Sequence, residues 1–329
     1  MFHRLKHYGI DGFQAAILVV VFLAYIFPEA GIRQKPVSLD QVSAYGLSLI
    51  FFFYGLKLKP SGLKSQLSNW KLHLVIQLFT FVLFPAIALI IKPFYSGDAF
   101  YSWLGIYYLC ALPSTVSSSV VMVSIAGGNL PSAIFNASIS TLLGVFITPL
   151  WVMPVLKNDA GTGDPEVANV VLKLTAQVIV PVATGLLLNR RLGIVAEKYK
   201  TTLRYFDQSV ILLIIYTAFA RSFYEKAFAG FTLPDLLKLG AGMTLLFYMV
   251  YYLMRWVCTK LHFSREDTIT ALFCGSKKSL VHASVMSRVL FPASPVISII
   301  LLPIMIYHAL QLIFVSVTAQ KFSRSQKSN

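Results

Sequence analysis

Ten apolar runs follow one another along the chain, and no polar stretch between them is long enough for a soluble domain. They fall at about 12–30, 40–58, 71–93, 100–126, 130–156, 168–189, 205–223, 233–257, 267–291 and 295–319. A helix needs about 17–25 residues to span the hydrocarbon core. In lipid every backbone polar group must find an internal partner, so continuous runs of this length fold as helices. Only 12% of residues are charged and 57% are hydrophobic, whereas soluble domains carry about 25% charged residues. The expected fold class is an all-α polytopic membrane protein, embedded in the lipid bilayer as a single membrane domain over 1–329.

The net charge of +15 does not point to nucleic acid, because the basic residues cluster in alternate connections. With the N-terminus inside, seventeen Lys and Arg residues fall in inner segments, from Arg4 and Lys6 to Lys321, Arg324 and Lys327. Seven fall in outer ones, including Arg33, Lys157 and Arg288. Positive charge is retained inside, so both termini are expected in the cytoplasm. Arg4 and Lys6 before an apolar run imitate a signal peptide; without a small-residue cleavage site, the run reads as a retained first span. Cys110, Cys258 and Cys274 lack the number and spacing of a disulfide framework or a zinc site.

The stretch from Lys157 to Val167, with Asp159, Gly161, Gly163, Asp164 and Pro165, is the most loop-like and divides the spans five and five. Five spans per half give the halves opposite topology, the arrangement of inverted-repeat transporters. The repeats are expected at 1–157 and 168–329. In each half the fourth span is interrupted by small polar residues and the fifth holds a proline, Pro149 or Pro303. A matching pair of interrupted spans marks a binding site near the bilayer midplane.

The first interruption is Pro113-Ser114-Thr115-Val116-Ser117-Ser118-Ser119. Pro113 lacks a backbone N–H and breaks the helix; the hydroxyls of Ser117, Ser118 and Ser119 can then serve freed backbone groups, a cation or a substrate. On the next span Ser132, Asn136 and Ser140 recur every four residues, one polar stripe on a helix face. The second interruption is Gly275-Ser276-Lys277-Lys278-Ser279. A lysine at mid-membrane costs roughly 2.5–3.5 kcal/mol on insertion scales, and adjacent helical positions point about 100° apart. None of the thirteen acidic residues lies mid-span, so no resident carboxylate pairs with Lys277 or Lys278. Each lysine is then a neutral amine, is held by the carbonyls of broken helices, or meets an anionic substrate from outside. His282 lies one turn beyond Lys278, and His308 and Gln311 lie mid-span after Pro303. The same lack of carboxylates argues against a carboxylate proton relay.

Four stretches together resemble the bile acid/sodium symporter family: Phe53 to Leu58; Pro113 to Ser119; Gly128-Asn129 through Ser140-Thr141 to Pro149; and Gly275 to Ser279 with Tyr307-His308. The resemblance implies ten transmembrane helices in two inverted five-helix repeats. It also implies a core domain, in which broken helices 4 and 9 cross, beside a panel domain. It implies transport of organic anions with sodium, bound at the positions of Ser118, Ser119, Ser132 and Asn136 (the last two fit equally well one residue later). A third-span glutamine of the family falls on Gln77. The sequence departs from that pattern where the family glutamate falls on Phe273 and a glutamine on Lys277. The Gly-Ser-Lys-Lys-Ser pattern is more similar to a divergent branch of bacterial symporter-like proteins and the human member linked to intracellular calcium regulation.

The expected function is secondary active transport of a small or amphipathic organic anion by alternating access, without a resident cofactor. Sodium, a proton or no coupling ion at all are each compatible with the residues. The alternative is a non-transporting membrane regulator or accessory protein that retains the transporter fold. No nucleophile–base pair or metal cluster in the spans suggests an enzyme.

Overall fold

The computed structural model describes residues 12–32, 38–57, 67–95, 97–159, 172, 175–226, 232–291 and 296–327. Thirteen helices are used below: α1 Gly12–Ile26, α2 Pro28–Ile32, α3 Leu39–Lys57, α4 Trp70–Phe94, α5 Phe100–Ala111, α6 Ser117–Ala126, α7 Leu130–Asp159, α8 Thr175–Lys198, α9 Lys200–Tyr224, α10 Leu233–Lys260, α11 Arg265–Gly275, α12 Leu280–Leu290 and α13 Ile297–Lys327. No strand occurs among the described residues. Most of the loop expected to divide the halves, 160–167, lies outside them.

Among the described residues six helices, α4, α7, α8, α9, α10 and α13, are long and apolar enough to cross a membrane. Their outward faces are apolar: Ile90 and Leu150 are each 71% exposed and Leu187 is 82% exposed. Such surface is stable only against lipid or another protein. The remaining apolar runs are shorter or interrupted. The first is divided at Phe27 before Pro28, where the ring ends one helix and suits the first turn of the next. The run expected over 168–189 continues helically to Lys198, and only Tyr199 separates α8 from α9. Arg190 and Arg191, expected in a connection, therefore sit within α8 about two turns before its end, and Lys198 is the basic residue of the last turn, where positive charge favours a helix C-terminus.

The helices pack in two groups. α3 lies along α8, and α9 packs on α1, α2 and α3. In the second group α5 and α6 pack on α13, α11 on α4, α6, α7 and α10, and α10 on α13. α9 meets the second group at α12 and α13, and Tyr54 of α3 donates to Thr141 Oγ1 of α7 at 2.7 Å. The α3–α8 contact is backbone against backbone: a Cβ on Gly185 would stand 2.1 Å from the Phe52 oxygen, and one on Gly55 would stand 2.2 Å from the Val182 oxygen. Gly185→Val should therefore push the helices apart and cost roughly 2–3 kcal/mol, read as a lower unfolding temperature in detergent.

Candidate functional site

The site is built from backbone groups that regular helices would have used. Pro113 separates α5 from α6, with the chain extended at Leu112. Each carbonyl freed by this break has a named partner. The Leu109 oxygen accepts from Leu112 N at 3.2 Å, and Ala111 accepts from Thr148 Oγ1 at 2.8 Å. Pro113 accepts from Ser279 N at 3.0 Å. The amide of Ser114, which would have bonded Cys110, donates to Ser140 Oγ at 3.0 Å. The oxygens of Cys110 and Leu112 remain, and both accept from Lys278. A buried backbone polar group left alone would cost as much as a lost hydrogen bond, so this distribution keeps the break stable.

A third orphaned carbonyl comes from α4. Residues Phe79–Leu83 form a π turn, in which Phe84 N bonds Phe79 O rather than Thr80 O. Pro85, one residue on, has no N–H to offer. The Thr80 oxygen thus loses both backbone donors and accepts from Lys278 instead. Phe81, whose ordinary donor would be Pro85, accepts from Trp151 Nε1 at 2.8 Å.

The second break, between α11 and α12, is served in the same way. Ser276 Oγ donates to Leu272 O, Ser119 Oγ to Phe273 O at 3.1 Å, and Tyr307 Oη to Ser276 O at 2.7 Å. Gln311 holds Lys278 by both backbone groups: its Oε1 accepts from Lys278 N and its Nε2 donates to Lys278 O, each at 2.8 Å. Nε2 also bonds His308 Nδ1 at 2.8 Å. Ser279 caps α12 by accepting from His282 N at 3.3 Å, and its hydroxyl bonds His282 Nδ1 at 2.8 Å. The two interruptions therefore face each other and are joined through Ser119–Phe273, Lys277–Ser118, Lys278–Cys110, Lys278–Leu112 and Ser279–Pro113.

The two lysines reach different partners across a non-helical break, and both are fully buried. Lys278 Nζ donates to Thr80 O at 2.7 Å, Cys110 O at 2.6 Å and Leu112 O at 2.8 Å, with its nitrogen 4.2 Å from the centre of the Phe84 ring. Three donors require the ammonium form, since a neutral amine has two N–H groups. Lys277 Nζ makes one hydrogen bond among the described residues, to Ser118 Oγ at 2.8 Å. At least one of its N–H groups is therefore unspent. Ser118 also bonds Thr115 Oγ1, which bonds Ser119.

Helix ends set the electrostatics. α5 and α11 bring C-termini to this point, while α6 and α12 bring N-termini. The carbonyls at the end of α5 carry partial negative charge and balance the Lys278 ammonium. Lys277 instead reaches the first turn of α6, where partial positive charge already lies. No acidic side chain pairs with it among the described residues, and a helix N-terminus favours an anion.

The stripe on α7 divides. Ser140 serves the first break. Asn136 Nδ2 bonds His73 Nδ1 at 2.8 Å and Ser132 O at 2.9 Å, and Gln77 Nε2 bonds Asn136 O and Oδ1 at 3.3 Å. Ser132 is fully buried and its amide donates to Asn129 Oδ1 at 3.1 Å. The side chain of Ser117 lies outside the described ones. Nothing in the sequence singles out Thr80, Phe84 or Thr148. Only Pro85, five residues after Thr80, signals that one of these backbone groups is free.

The chain is similar to known proteins over most of its length. The model of the SBF-like CPA transporter family matches residues 11–324. The chain belongs to the SBF-like CPA transporter family. This family member is 39% identical over 315 residues to an uncharacterised Pseudomonas aeruginosa protein, PA2026, covering 95% of this chain and 93% of that one. It is 34% identical over 318 residues to YfeH of Escherichia coli, named as a symporter, covering 96% and 93%. It is 30% identical over 312 residues to the Rattus norvegicus protein named sodium/bile acid cotransporter 7, covering 93% and 91%. The chain is thus a member of a transporter family, embedded in the bilayer, with a small molecule as its class of substrate.

Proposed function

We propose that the protein is a secondary transporter of a small or amphipathic organic anion, and that Lys277 is the residue that meets the anion. The observation that carries this reading is the contrast between the lysines. Lys278 has spent all three N–H groups on carbonyls, whereas Lys277 keeps donor capacity beside the N-terminal turn of α6. Ser118, Thr115 and Ser119 supply adjoining hydroxyls.

The architecture we infer is ten spans in two inverted repeats, with α5/α6 and α11/α12 as the broken fourth and ninth. Support comes from the packing: each half contributes two spans to the group around α3 and α8, and three to the group around the breaks. The first group would be the panel and the second the core. His282 lies where the two meet, its ring 5.8 Å from that of Tyr54. Alternating access would slide the groups past each other there and expose Lys277 to each side in turn. Both termini would lie in the cytoplasm, the membrane being the bacterial inner one.

A sodium ion shared by Ser118, Ser119, Ser132 and Asn136 does not suit these residues. The Lys277 nitrogen already occupies Ser118 at 2.8 Å, and Asn136 Oδ1 already accepts from Gln77. A charged Lys277 would also repel a cation brought to the same hydroxyl. We infer that anion transport proceeds without sodium at that place. The alternative, a non-transporting regulator with the same fold, draws on the full burial of both lysines, which leaves them closed to solvent in this conformation.

Thermal unfolding of the purified protein against a panel of organic anions, with sodium exchanged for potassium at constant ionic strength, separates these readings. The expected result is a rise in unfolding temperature with one anion class, unchanged by the exchange. A sodium-dependent rise would reinstate a sodium site, and no rise with any anion would favour the regulator.

A further inference from the structure

We propose that the carbonyl oxygens of Thr80, Cys110 and Leu112, closed by the Phe84 ring, form a binding site for a small ammonium-type cation. The Lys278 side chain is its permanent, tethered occupant. This inference stands apart from the identity of any substrate.

Three features support it. First, the acceptors arise from three independent local events. The π turn and Pro85 strip Thr80 O of its donors, Ser114 N turns away from Cys110 O to Ser140, and Leu112 lies in the extended break. Without a cation, three carbonyls would converge with no donor. Second, the acceptors lie 2.6–2.8 Å from one nitrogen, the range of charge-assisted hydrogen bonds. The nitrogen also stands 4.2 Å from the centre of the Phe84 ring, within the reach of a cation–π contact. Third, the occupant is held from behind, because Gln311 fixes the Lys278 amide and carbonyl. The cation thus ties α4, the end of α5, the second break and α13 into one body. A bound ion that never leaves would keep those elements together while other parts of the protein move.

The test is chemical rescue. Lys278→Ala empties the cage, and its unfolding temperature should fall by roughly 10 °C or more. Methylammonium reproduces three N–H donors and a carbon stem, so it should restore at least half of that loss and saturate. Tetramethylammonium at the same concentration has no N–H donor and should restore none, and neither salt should shift the wild type. Lys278→Met fills the space without charge and should remain well below wild type. Failure of methylammonium to rescue Lys278→Ala, equal rescue by tetramethylammonium, or a wild-type unfolding temperature for Lys278→Met would each overturn the proposal. Should neither variant fold alone, extraction in methylammonium decides. Recovery of monodisperse Lys278→Ala in methylammonium but not tetramethylammonium supports the cage, and no recovery refutes it.

Discussion

Lys277→Met should fold at least as well as the wild type and bind the transported anion roughly thirtyfold more weakly, or worse. The two effects have one cause. Lys277 is fully buried and, among the described residues, makes a single hydrogen bond, to Ser118 Oγ, so little offsets its loss of hydration. Replacing an underpartnered buried amine by an apolar side chain of similar length is neutral or stabilising, by roughly 1–2 kcal/mol here. The anion loses its charged partner, and a desolvated charge-assisted contact is worth about 2 kcal/mol or more, which corresponds to that thirtyfold. Unfolding temperature and anion titration on one preparation check both halves. A variant that is strongly destabilised, or that binds anions normally, would show that Lys277 is structural.

Gln311→Leu should do the opposite, lowering stability by roughly 2–6 kcal/mol through the backbone of the second break. Gln311 is fully buried and satisfies both Lys278 N and Lys278 O. Leucine fills much the same space but leaves a buried donor and a buried acceptor unpaired, each at about 1–3 kcal/mol. His308 would also lose its bond to Nε2. Gln311→Glu keeps the acceptor for Lys278 N and should be intermediate. Denaturation in detergent, compared across the two variants, checks the order. Equal stability of all three proteins would mean that water or a shifted backbone can replace the amide.

Pro113 and the pair Lys277-Lys278 mark the breaks in the sequence because each is expensive inside an apolar run, and expense is visible without coordinates. The lack of a carboxylate partner follows from the positions of the thirteen acidic residues, whereas the divergence of the lysines arises in a break that is not helical, so helical geometry does not account for it. The cage around Lys278 could not be read in the same way, since its acceptors are backbone carbonyls and every residue has one. Which carbonyls are orphaned depends on a π turn at Phe79–Leu83 and on Ser140 capturing the Ser114 amide from 26 positions away. Gln311 stood out only as a polar residue in an apolar run, because its partners are main-chain atoms 33 positions earlier. The polar stripe on α7 looked like one surface. Its members separate because Ser140 meets the first break while Asn136 meets His73 and Gln77 of α4. The Lys198 end of α8 is not legible in the sequence because apolar periodicity fades while charged residues still extend a helix.

In the function proposed, Lys277, beside the N-terminus of α6, receives a transported anion without sodium at that position. Uptake of a stabilising anion into liposomes carrying either the wild type or Lys277→Met, in sodium and in potassium, tests it most directly. Wild-type uptake should run at similar rates in both salts, and uptake by Lys277→Met at subsaturating anion should fall at least roughly thirtyfold. Uptake by Lys277→Met at the wild-type rate, or wild-type uptake that requires sodium, would overturn this role for Lys277.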